Sequence, residues 1–191
     1  MIKRIPILTN ILLTALISFA QTAQPQIEGF WGIKLGEPEN TVVRKVRQSY
    51  PSADYARDTN GKPFRANNVK LAGLDADNCS FKFTNGILSE AKFTKAVGRF
   101  VEASQAQAYV NSLTQQVQSD YQEFCEAISS KYGTPKVSGQ TVTWTTSNGN
   151  SIIIKPFTNI SGYIMDNGTT WAGAGIYIIY TYVKGSHLND F

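Results

Sequence analysis

Histidine is almost missing from this 191-residue chain, and the one copy, His187, lies in a polar tail near the C-terminus. A zinc site built on several histidines is therefore excluded, and a histidine-based triad would have to draw its base from that tail. Cysteine is nearly as scarce. Cys79 and Cys125 lie far apart and form no CxxC spacing, which removes thioredoxin-like redox chemistry. The glycines make neither a P-loop nor a dinucleotide fingerprint, no G-x-S-x-G occurs, and Gly173-Ala174-Gly175, expected to precede a strand, reads as a flexible joint. Among the carboxylates, Asp75 and Asp77 are close enough in sequence to share acid-base work or a cation. Asp75-Ala76-Asp77-Asn78 is expected to be a solvated turn instead. Asp58-Thr59-Asn60-Gly61 opens like a calcium loop, yet the twelfth position, where a glutamate is needed, is Val69. No catalytic residue, metal ligand or cofactor is expected.

Long apolar runs are also missing, except at the start. Met1-Ile2-Lys3-Arg4 is cationic, Ile5 to Phe19 is largely apolar, and Ser18-Phe19-Ala20 supplies small residues for a peptidase. This is the layout of a signal peptide over residues 1–20, cut after Ala20, with Ala23 as the second choice. An uncleaved anchor needs roughly 18 or more apolar residues; this run is shorter and holds Thr9, Asn10 and Thr14. No cysteine follows the cut to carry a lipid. The expected address is periplasmic or secreted, and no segment after Ala20 is apolar enough to span a membrane as a helix. Residues 21–191, about 170 of them, suit one domain. Loss of Lys3 and Arg4 takes the formal charge from +4 to about +2. The one basic cluster, Arg44, Lys45 and Arg47, reads as the solvated face of a helix. No nucleic-acid partner is expected.

The apolar pattern sets the elements. Phe30 to Gly36 is a short strand or an apolar plug. Pro38 suits a first helical turn, Val42, Val46 and Tyr50 follow at spacings of four, and Pro51 stops the run. Residues 52–67 are polar and rich in turn formers, which predicts a long surface loop. Val69 to Leu74 is a strand, and Cys79 to Thr84, Asn85-Gly86, and Ile87 to Lys95 make a hairpin with a type I′ turn. From Ala103 to Tyr132, Val110, Leu113, Val117, Tyr121, Phe124, Ile128 and Tyr132 recur by threes and fours, which predicts one long helix ended by Gly133 and Pro135. Strands follow at Thr141–Thr146, Ser151–Lys155 and Gly175–Val183, the last apolar on both faces and so central in a sheet. The order is helix, three strands, helix, three strands. It predicts an α+β fold of two layers, an antiparallel sheet against one short and one long helix, with tandem halves at 30–97 and 101–183.

Two further features bear on function. Cys79 alternates with Phe81 and Phe83, and Cys125 borders the apolar stripe of its helix, so both thiols face inward. They form either a disulfide between helix and sheet or two separately buried thiols. In the glycine-rich stretch 156–174, Tyr163, Met165 and Trp171 stand among polar residues. Exposed, they make a binding patch for proteins or sugars; folded back, they are core cover, the commoner fate of large apolar groups. Trp31 and Trp144 are assigned to the core.

Trp31-Gly32-Ile33-x-x-Gly36 before a short helix, and Lys131-Tyr132-Gly133-x-Pro135 ending a helix that feeds a strand with Trp144, resemble a pattern of small exported domains. The element order is similar to that of the β-lactamase-inhibitor-protein-like group. That resemblance implies a non-catalytic module that binds a protein or an envelope component. The alternative is a small envelope hydrolase working through carboxylates.

Overall fold

The computed structural model describes residues 26–55 and 63–183. The expected signal segment, the Asn60-Gly61 turn and His187 lie outside them. The first described elements, β1 (Gly29–Phe30) and β2 (Ile33–Lys34), form a tight hairpin whose corner residues Trp31 and Gly32 both have positive φ. The hairpin is the expected apolar plug. Phe30, Ile33 and Leu35 are buried, and the Phe30 ring meets Phe93 at 5.1 Å and Tyr180 at 5.2 Å. Trp31 is partly buried at the edge of the core, its indole packed on Tyr50 and Phe93 and donating to the Lys70 carbonyl at 2.6 Å. Helix α1 (Glu39–Ser49) starts after Pro38 and buries Val42 and Val46, as their spacing predicts.

The sheet then begins earlier than expected. Strands β3 (Asp54–Tyr55), β4 (Phe64–Leu71), β5 (Leu74–Thr84) and β6 (Ile87–Glu102) replace much of the predicted loop 52–67 and the predicted turn 75–78. Phe64 and Ala66 are buried while Arg65 and Asn67 point out, so the outward half of a period-two strand looks like loop composition. The real turn is Ala72-Gly73, both at positive φ. At Asn68 (φ 52°) the alternation changes phase, and the buried positions pass from 64 and 66 to 69 and 71.

The second half opens with a 3-10 turn (103–105), α2 (Ala106–Ser112) and α3 (Thr114–Tyr132). The predicted single helix is thus broken at Leu113. Around the break the hydroxyls of Ser112 and Thr114 bond back to the carbonyls of Tyr109 and Asn111, competing with the helical ladder. The apolar spacing runs through the break unchanged, which is why it predicts one helix. Gly133 has positive φ and ends α3, and the Trp144 indole donates to its carbonyl at 2.9 Å. Strands β7 (Lys136–Ser138), β8 (Thr141–Thr145), β9 (Ser151–Ile160) and β10 (Thr169–Thr181) complete the chain.

The order β3-β4-β5-β6-β10-β9-β8-β7, antiparallel throughout, reads the same from either edge. Each half is a four-strand meander, and the halves meet where β6 pairs β10 from Glu102↔Thr169 to Glu90↔Thr181. Three strands per half were expected; the two-residue β3 and three-residue β7 are too short to leave a period in the sequence. The fold is α+β in two layers. α1 packs on β6, α2 on β6, β9 and β10, and α3 on β9 and β10. Their shared core holds Phe81, Phe93, Ile152, Ile154, Ile176 and Ile178, all within 1 % of full burial. Each such side chain contributes about 1.5–3 kcal/mol relative to exposure.

Candidate functional site

Alternation along β10 sends Ala172, Ala174, Ile176, Ile178 and Tyr180 into the helix-covered core. Trp171, Gly173, Gly175, Tyr177 and Ile179 therefore lie on the opposite face, with their registered neighbours Phe100 and Gly98 on β6 and Phe157 and Asn159 on β9. Among the described residues no helix packs on that face. Its aromatics are ordered against one another: Phe157 stacks on Tyr177 at 4.1 Å with 11° between planes, and the Lys92 ammonium sits 4.9 Å from the Tyr177 ring centre. Such a row across three strands adds about 0.5–1.5 kcal/mol for the aromatic pair and about 0.5–1 kcal/mol for the exposed cation. The six-membered ring of Trp171 rests on Gly98 and Gly173. A Cβ at either glycine would meet it at 2.5 Å, so glycine there is a requirement of the indole's seat. The patch candidate Trp171 is half-buried as a result.

The other two patch candidates stand free. Tyr163 is 70 % exposed and Met165 40 %, on the connection from β9 to β10, with Ile164 between them at 57 %. Expected more often as core cover, they are surface. Of the seven large apolar side chains exposed among the described residues, five gather at this end of the sheet, the others there being Phe100 and Ile160. The connection is held tightly. Met165 N–H donates to the Thr169 carbonyl and Gly168 N–H back to the Met165 carbonyl, while the Thr170 hydroxyl reaches the carbonyls of Ser161 and Tyr163. Both backbone groups of Tyr163 and of Met165 are satisfied within the hairpin. The loop thus presents its apolar side chains already ordered, which lowers the entropy lost on binding. Two carboxylates flank them, Asp166 and Glu102, whose Oε2 reaches over Gly168. Neither enters an ion pair among the described residues.

The remaining chemistry is engaged elsewhere. Asp75 and Asp77 do share a solvent-facing side of an extended strand, but Asp75 pairs with Lys70 at 2.6 Å, which lowers its pKa, and Asp77 accepts from the Ala96 N–H at 2.6 Å. Cys79 and Cys125 are not bridged. The predicted inward orientation holds, yet α3 covers β9 and β10 whereas Cys79 is on β5, two strands from β10. Two strand spacings are roughly 10 Å, more than the about 7 Å between Cα atoms that a disulfide tolerates. Burial raises the pKa of the Cys79 thiol, and burial pushes that of Cys125 up to about 12. Neither is an activated nucleophile. Among the described residues no three His, Cys, Asp or Glu gather as metal ligands would.

One feature left no signal in the sequence. A shallow, open groove of about 1000 Å³ lies beside α1, its lining including Glu39, Val43, Arg44, Arg47, Tyr55 and Gly86. The basic cluster read as a solvated helix face contributes two of its walls. Arg47 is held by Asp54 at 3.3 Å, and Tyr55 donates to Glu39 at 2.7 Å; burial, and after it this bond to a carboxylate, pushes the phenol up to about 12. Arg44 is exposed and has no partner among the described residues. Val43, four residues before Arg47 on the same helix, gives the groove an apolar floor. The chain matches no protein-family model, no curated protein and no solved structure.

Proposed function

We propose that this chain is a non-enzymatic binding module, exported to the periplasm or beyond the cell, which recognises a protein or a cell-envelope component. The recognition elements are the 161–168 connection, with Tyr163 and Met165, and the adjoining open sheet face, with Trp171. The observation that carries the reading is the gathering of exposed apolar side chains on a hydrogen-bonded loop beside an aromatic sheet face that none of the described helices covers; large exposed apolar patches mark interaction sites. The element order resembles that of the β-lactamase-inhibitor-protein-like group, a resemblance that implies the same role. The hydrolase alternative draws no support from Asp75 and Asp77, since both are committed to structural contacts. The test is alanine at Tyr163, Met165 and Trp171, read by thermal melting and by capture of envelope components on the immobilised chain. Capture lost with melting unchanged supports the reading. Capture retained by the triple variant sinks it. N-terminal sequencing of the chain recovered from the periplasm or medium tests export, with Gln21 as the expected first residue.

A further inference from the structure

The pairing of β5 with β6 ends at Asn78↔Thr94, and from there β6 runs on to Glu102 with only β10 paired to it. The Asp77 carboxylate sits at the split, accepting the Ala96 N–H at 2.6 Å. Along an antiparallel strand, alternate residues turn their N–H and C=O to opposite neighbours. Just past β6 the Ala103 N–H donates to the Gly168 carbonyl on the β10 side, so odd-numbered positions here serve β10 and even-numbered ones, Ala96, Gly98 and Phe100, face away from it. Among the described residues the backbone groups of Gly98 and Phe100 have no partner on that side, and Gly98, Arg99, Phe100 and Glu102 are all exposed. The far edge of the same three-strand ribbon is built otherwise. There β9 outruns β8 past Val142↔Ile154, and because Ser161 N–H donates to the Trp171 carbonyl, it is the even-numbered Pro156 that faces outward, with no N–H to offer. One edge is blunted by proline, a common guard against stray strand pairing, and the other is left open.

We infer that the open β6 edge from Gly98 to Glu102 takes an extended segment of a partner protein as an added strand. The inference rests on reading the adjoining Trp171 surface as a recognition element, and it names the partner there as a polypeptide. The edge itself selects that occupant, since N–H and C=O groups alternating at strand spacing are matched by another extended backbone. Side chains of the added strand alternate between faces as well. The residue opposite Gly98 lies on the open face against the rim of the Trp171 indole, which rests on Gly98, and it has room because glycine carries no side chain. A large apolar residue suits that place. Its sequence neighbours lie on the other face beside Arg99, whose guanidinium stacks 4.6 Å from the Tyr109 ring centre and has no carboxylate partner among the described residues. Those neighbours are acidic. The partner segment is thus an extended run in which an apolar residue stands between carboxylates.

Short random peptides displayed on phage, selected on the immobilised full chain as purified from the expressing cell, test this. Phe100→Pro removes an edge N–H without costing a bond to β10, because that N–H faces away from it; Phe100→Ala keeps the N–H and removes only the ring. Enriched peptides are expected to carry the acidic-apolar-acidic pattern and to bind Phe100→Pro about tenfold or more weakly than wild type, with a smaller loss for Phe100→Ala. Methylating the peptide amides that face the edge should abolish binding, while methylating the alternate amides should leave it, a readout that holds even where Phe100→Pro does not fold. The inference is overturned when no peptide is enriched, when wild-type and Phe100→Pro chains bind the peptides alike, or when both methylation patterns are tolerated equally. A wild-type dimer that Phe100→Pro dissolves overturns it too, assigning the edge to a second copy. Should peptides ignore the edge yet depend on Tyr163, Met165 and Trp171, the binding-module reading stands and only strand addition falls.

Discussion

Between β5 and β6 the chain reverses through Asn85 and Gly86, both at positive φ (52° and 72°); between β9 and β10, the matching connection of the other half, it runs through residues 161–168. The first turn is as short as a hairpin permits, and its Asn-Gly pair carries no side chain into solvent beyond that of Asn85. The second is longer than closure requires, and its surplus residues carry Tyr163, Ile164 and Met165 into solvent while Thr170 and Thr169 hold their backbone. Two connections at equivalent places in a repeated sheet therefore differ in what they are for. Length beyond the geometric need, combined with internal hydrogen bonding and apolar exposure, marks the one proposed to meet a partner.

The comparison breaks first if the halves are not one cooperative unit. Phe93 of the first half faces Ile178 of the second across the β6–β10 seam, and both are fully buried. Phe93→Ala is expected to cost about 3–5 kcal/mol and Ile178→Ala about 2–5 kcal/mol in urea unfolding. The double variant should depart from additivity by at least about 0.5 kcal/mol, and two separate unfolding transitions would show the halves to be independent. Gly98→Val comes next, because its side chain must displace the Trp171 ring; a loss of about 1–3 kcal/mol with a red-shifted tryptophan emission is expected, and an unshifted spectrum would mean the indole has another seat. Smaller again is the contrast between the two connections. Gly86→Ala should cost about 1 kcal/mol at its positive φ, whereas Gly162→Ala, with nothing near its Cβ and ordinary φ, should stay within about 0.5 kcal/mol. Equal costs would remove the distinction between a constrained turn and a tolerant loop.

The thiols of the two halves differ as well. Cys125 keeps its proton in the folded chain up to about pH 12, against an ordinary value of 9.0. Its folded pKa is raised, so the contribution is intact below pH 9 and stability declines as pH climbs from there toward 12, the unfolded thiol ionising first. Cys125→Ala should flatten that part of the profile. Wild-type and variant curves of equal slope above pH 9 would contradict the burial of this thiol. Cys79, fully buried, should resist alkylation until the chain unfolds.

Much of the fold was legible because its causes are local. The Asn85-Gly86 turn, the stop at Gly133, the four-residue spacing of Val42 and Val46, and the two-faced apolar β10 all follow from backbone sterics and side-chain period. The site was legible in part. Tyr163, Met165 and Trp171 were marked as large apolar side chains in a polar stretch, but their exposure was not, since Trp171 owes its half-buried seat to Gly98, more than seventy residues away. Phe100 and Glu102 gave no sign of joining them, because only the β6–β10 register brings them together. The α1 groove needs Tyr55 and Gly86 beside Arg44, a meeting no spacing encodes.

The sequence by itself determined where the chain turns, where helices begin and stop, and which side chains must be buried somewhere, for these depend on φ preferences and on periods of 2 and 3.6. Tertiary structure decided the break at Leu113, where hydroxyl back-bonding interrupts an unbroken apolar stripe, and the lengths of β4, β9 and β10, where pairing extends strands into polar sequence. It decided as well that Cys79 and Cys125 stand on different parts of the sheet, and which end of the molecule is left apolar. The physical reason is that burial and charge partnership are properties of pairs, and most of the pairs that matter here join residues far apart in the chain.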